Sequence, residues 1–128
     1  MRIFLSVLLS ALTLNAQDSA AYRACTAKAQ AQMELNTCAG DEAARVDREL
    51  NEVYRQLLAR AKDDTDATEK LKAAERAWIA YRDAYIEAAY PAKDKRLEYG
   101  SIYPMDAALL QAKLTRRQIA ALKDLLKQ

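Results

Sequence analysis

AGDEAARVDRELNEVYRQL, residues Ala39 to Leu57, carries apolar side chains at 39, 43, 46, 50, 53 and 57. Spacings that alternate between four and three line those positions along one side of an α-helix, and no strand would show them. Two more stretches repeat the pattern. One runs through Leu71, Ala74, Trp78, Tyr81, Tyr85 and Ala88, the other through Met105, Ala108, Ala112, Thr115, Ile119, Leu122 and Leu126. Each seam is one-sided, so each helix can hide its apolar face only against the others. With two Gly and two Pro in 128 residues, helix is favoured nearly everywhere. The expected fold is all-α: three long helices, antiparallel in sequence, packed as a bundle.

Two breaks separate the seams. In KDDTDATE (62–69), Asp66 followed by Glu69 fits a capping box that opens the second helix. In YPAKDKRLEYGSIYPM (90–105), Pro91, Gly100 and Pro104 interrupt any helix, and Ser101 is placed to cap the third. A second capping pattern, Thr115 to Gln118, lies inside the third seam. The seam keeps its register through Thr115, which favours one continuous helix.

The front of the chain speaks of export. Met1 and Arg2 precede an apolar run, Ile3 to Leu14, and Gln17, Asp18 and Ser19 follow at once. This pattern reads as a signal peptide over residues 1–16 cleaved after Ala16, with Ala20 as the alternative point. The run is shorter than the roughly 20 apolar residues of a membrane span. Taking 16 residues from 128 leaves 112, a single domain over 17–128. Only Arg2 is charged among those removed, so 19 basic and 18 acidic side chains remain, a formal balance of +1. No clustered positive charge marks a nucleic-acid partner.

In an exported chain Cys25 and Cys38 are expected to pair, free thiols being the alternative. Bridged Cα atoms lie within about 7 Å, whereas thirteen steps of straight helix span about 20 Å. The chain must therefore turn back between them, which predicts a short helix or arm over Ser19 to Ala29 linked to the first long helix.

Catalytic chemistry has little to work with. The chain has no histidine, which excludes Ser-His and Cys-His nucleophiles and the usual zinc spacings. The turn residues Asp63, Asp64 and Asp66 lack the glycine and terminal glutamate of a calcium loop, and capping explains them. Carboxylate pairs flanking a glycosidic bond are the remaining enzyme reading, but most acids alternate with Lys or Arg on outer faces. No metal, cofactor or catalytic residue is expected.

The stretch ERAWIAYRDAY (75–85) places Trp78, Tyr81 and Tyr85 on one helical face with Arg82 beside it. On the first helix Asp47, Asn51 and Tyr54 form a stripe. A guanidinium at a helix interface needs an acceptor, so Arg82 is expected to pair with Asp47, with Asn51 or Tyr54 completing the network. The aromatic residues are expected to plug the bundle.

The series Cys25, QMELNTC with Met33, Asn36 and Cys38, VDRELNEVY with Asp47, Leu50, Asn51 and Tyr54, and WIAYRDA with Trp78, Tyr81, Arg82 and Asp83 resembles the LprI-like lysozyme-inhibitor family of exported bacterial proteins. The later YGS with Pro104 and LTRRQIAAL resembles that family's closing segment. Members often carry a second cysteine pair, and the nearest positions here are Ile86 and Leu110, expected to keep the contact by packing. The resemblance implies a periplasmic or secreted inhibitor of lysozyme, and Asp47, Asn51, Tyr54, Trp78, Tyr81, Arg82 and Asp83 as family-motif structural residues. An inhibitor must occlude a cleft whose working groups are two carboxylates. The second connection offers Lys93, Lys95, Arg96, Tyr99, Ser101 and Tyr103 as the partner-binding loop. A different reading makes the domain an envelope assembly module that forms a homodimer through a coiled-coil-like seam.

Overall fold

A computed structural model describes residues 18–128; the expected leader, residues 1–16, lies outside the described residues. Five helices and no strand occur among the described residues: α1 (Ala20–Lys28), α2 (Gln32–Arg60), α3 (Thr65–Ala89), α4 (Lys95–Tyr99) and α5 (Tyr103–Leu126). The three long rods are α2, α3 and α5, running up, down and up, so neighbours in sequence are antiparallel and α2 lies parallel to α5.

The main interface joins α2 to α5. Ala43, Val46, Leu50, Val53 and Leu57 pack on Ala112, Ile119 and Leu122, and Leu71 and Trp78 of α3 lean on that core from the side. Ala39 and Ala112 are fully buried, and such small residues let the two axes approach closely. Arg60 of α2 donates to the carbonyls of Leu125 and Leu126, at 2.8 and 2.7 Å. It thereby serves the acceptors left over at the α5 C-terminus, where the helix dipole favours a cation.

α1 is the predicted N-terminal arm. Cys25 and Cys38 are bonded with Cα atoms 5.7 Å apart, and Tyr22, Cys38 and Ala39 form a second small core against Met105, Ala108 and Leu109. The disulfide therefore braces the end of the bundle where α2 and α5 begin.

Two local expectations change. Asp64, not Asp66, caps α3, its side chain accepting from the Ala67 amide; Asp66 pairs with Lys70 at 2.6 Å instead. Ser101 does not cap α5, whose N-cap is Ile102 with Pro104 in the first turn. Through Thr115 that helix is continuous, as its seam requires.

The larger correction concerns α3. The apolar seam through Ala74, Tyr81, Tyr85 and Ala88 faces solvent: Tyr81 is 57% and Tyr85 42% exposed, and the two rings meet each other at 5.9 Å on the surface. The inward stripe is Leu71, Glu75, Trp78, Arg82 and Ile86, rotated by one residue. Only Leu71 and Trp78 belong to both stripes. Turning the helix this way brings Arg82 to its carboxylate on α2, at the expense of leaving two tyrosines in water.

Candidate functional site

Two polar centres and one ordered loop stand out among the described residues. Asp47 on α2 faces Arg82 on α3 at 3.4 Å. The guanidinium also donates to Asp83 at 3.0 Å and stacks 5.2 Å above the Trp78 ring, a cation–π contact. The remaining bonds of Asp47 come from α5 rather than from the expected Asn51 or Tyr54. Gln111 donates to it at 3.1 Å, while Thr115 gives its hydrogen to the Gln111 carbonyl at 2.8 Å and stands 3.5 Å from the carboxylate. Asn51 is exposed and Tyr54 packs into the core edge, because one turn of α5 reaches Asp47 before either of them does.

The second centre was not anticipated. Glu42 is fully buried and holds four groups together. Ser19 donates to it twice, by its amide at 3.0 Å and its hydroxyl at 2.5 Å, and Arg45 and Arg116 close ion pairs on the two oxygens. Burial pushes the carboxyl pKa up, but the Ser19 hydrogen bonds and the two arginines outweigh it, and the net position is below the ordinary carboxylate value. One carboxylate thus joins α1, α2 and α5. The signal lay in plain view: Glu42 falls between Ala39 and Val46 in the α2 seam, and LTRRQ supplies the partner.

The connection from Tyr90 to Pro104 is built, not slack. Tyr90, Tyr99 and Tyr103 meet edge-on or tilted, with centroids 5.2 to 5.9 Å apart. Burial, followed by Asp106, raises the Tyr90 pKa, so that phenol keeps its proton at neutral pH. The Ala92 amide donates to the Tyr99 hydroxyl at 3.0 Å. Lys95 donates to Glu87 and to the Tyr90 and Ala92 carbonyls at 2.9, 2.8 and 3.1 Å, and the Glu87 bond lifts its ammonium pKa. Between them sits the five-residue α4, capped by Asp94 and ended by Gly100 at φ +78°, a conformation that suits glycine. The Asn36 amide ties this loop to α2 through the Ser101 carbonyl, at 2.9 Å.

The six loop residues therefore divide. Lys95, Tyr99 and Tyr103 build the loop from inside, and Ser101 anchors it by its backbone. Lys93 and Arg96 remain exposed. Two exposed apolar residues complete the surface: Leu97 at the tip, 84% exposed, which composition did not single out, and Met33 of the QMELNTC motif at the start of α2. A shallow cavity of about 190 Å³ lies there, lined by Met33, Asn36, Arg96 and Ser101 among others.

The molecule is thus a disulfide-braced helical domain that raises one stiff, amphipathic loop at its braced end. Residues 25–122 match the family described as lysozyme inhibitor LprI, and the chain belongs to that family. The match begins at Cys25, the first half of the bridge. An uncharacterized protein of Rhizobium meliloti (strain 1021) is 41% identical over 111 residues, covering 77% of this chain and 76% of the relative. No solved structure matches. The family is one of inhibitors rather than enzymes, and no described helix is long and apolar enough to cross a membrane.

Proposed function

We propose that this chain is an exported, non-enzymatic protein-binding domain that inhibits a lysozyme through the loop after α3. Family membership supports the partner class, and the observation that carries the choice of surface is Leu97, held out in water by a frame of three tyrosines and Lys95. An exposed leucine beside an arginine on a pre-ordered loop loses little freedom on binding, and arginine is enriched where binding energy concentrates. Arg96 and Lys93 supply the donors that a cleft with two carboxylates would accept. A formal charge of +1 on residues 17–128 gives no long-range attraction to a cationic lysozyme, so recognition rests on short-range fit.

The test is a cell-lysis assay with purified residues 17–128 and added lysozyme. Wild type protects, and the pair Arg96→Ala with Leu97→Ala loses protection while its helical circular dichroism and melting temperature stay unchanged. Absence of protection by the wild type at large molar excess overturns the reading. The second reading, a self-associating envelope module, draws on Tyr81 and Tyr85, whose rings meet on one exposed flank of α3. Light scattering behind a sizing column that shows a dimer at micromolar concentration would favour it.

A further inference from the structure

The inward stripe of α3 contains one residue that nothing in the fold explains. Glu75 is only 9% exposed, and its Oε2 is buried without a hydrogen-bond partner among the described residues. A buried carboxylate without a partner is costly, and such a group in a native structure calls for a cause. Arg82, two turns further along the same stripe, is committed to Asp47, Asp83 and the Trp78 face.

Glu75 opens on two cavities. The larger, about 250 Å³, is walled by Tyr54, Leu71, Gln118, Leu122 and Leu125. An apolar cavity of about 150 Å³ is enough to hold benzene, so this one admits a short alkyl chain or a single ring. The smaller, about 170 Å³, lies on the side of Asp47, Trp78 and Arg82, where the guanidinium repels a second cation. A ligand with a positive head must therefore enter from the apolar side, with its head on Glu75 and its tail against the leucines.

We propose that the cavity between α2, α3 and α5 binds a primary alkylammonium group, with Glu75 as the acceptor of its charge. The group belongs to either a free short-chain amine or a lysine side chain of another protein; its chemistry is the same in both. Burial raises the Glu75 pKa, and Arg82 opposes that shift; a bound ammonium would hold the carboxyl ionised.

The experiment is calorimetric and NMR titration of the full domain with three probes: n-hexylamine, its uncharged counterpart n-hexanol, and lysine blocked at both backbone ends. Hexylamine is expected to saturate, to shift the amides of Glu75, Gln118 and Leu122, and to bind at least about tenfold more tightly than hexanol. Glu75→Gln is expected to remove that preference, leaving hexanol unaffected. If blocked lysine binds like hexylamine, the proposal holds and a protein lysine is a source; if hexylamine binds alone, it holds for free amines. A second readout needs no variant: hexylamine affinity falls on acidification while hexanol affinity does not. Of the groups sharing the two cavities with Glu75, α2 supplies Asp47 and Tyr54, α3 supplies Arg82, and α5 supplies only uncharged Gln118. No saturable hexylamine binding, or equal affinity for hexanol, overturns the proposal.

Discussion

Replacing Glu42 by alanine removes the one acceptor shared by Ser19, Arg45 and Arg116. Breaking a buried pair by deleting one partner typically costs about 3–5 kcal/mol, because the other charge is left uncompensated. Here the arginines are not equally trapped. The Arg116 side chain is 21% exposed and that of Arg45 37%, so Arg45 recovers much of its hydration and the lower end, about 3 kcal/mol, is expected. In a domain of this size that lowers the melting temperature by roughly 10–20 °C. Chemical denaturation followed by circular dichroism at neutral pH measures it directly. Acid provides a second check. The carboxyl pKa in the fold lies below the ordinary value of 4.5, so its stabilisation is complete above that value and is lost as pH falls through the lower, folded one. The gap between wild type and Glu42→Gln should therefore narrow as pH falls below 4.5. A loss under about 1 kcal/mol for Glu42→Ala, the size of an ordinary single change, or a gap indifferent to acid, would refute the assignment of Glu42 as the joint of three helices.

Two further perturbations address the frame. Replacing both Cys25 and Cys38 by serine should lower stability by about 3 kcal/mol, as expected for a loop of this length; a denaturation midpoint that does not move would reject the brace. Asp47→Ala and Arg82→Ala, combined in a double-mutant cycle, should show a coupling of about 1 kcal/mol, since the pair lies at the bundle edge. Losses below about half a kcal/mol in both single variants would dismiss its role in setting the register of α3.

The α2 seam was legible because its six positions are apolar and no alternative stripe competes: Ala39, Ala43, Val46, Leu50, Val53 and Leu57 are all buried. α5 follows for the same reason. α3 was not legible in this way, because Leu71 and Trp78 belong to both possible stripes and hydropathy alone prefers tyrosine to Glu75 and Arg82. The choice is made by Asp47, 35 residues away in sequence from Arg82, and a local period carries no such information. α4 escaped for another reason: five residues hold less than two turns, and only Asp94 and Gly100 mark its ends. In the loop, composition suggested contact residues, but half of the six serve as its internal frame. Which lysine or tyrosine turns inward depends on three rings meeting across 13 residues, and spacing does not reveal that.

Ser19 gives the Glu42 joint a bearing on how the chain can be trimmed. A peptidase that cuts after Ala16 leaves two residues ahead of the serine and spares both of its donors. A cut after Ala20 discards amide and hydroxyl together and exposes the carboxylate to its arginines alone. Were the chain so processed, the cut would set whether Ser19 also latches the first helix to the bundle or the disulfide and the packing of Tyr22 hold it alone.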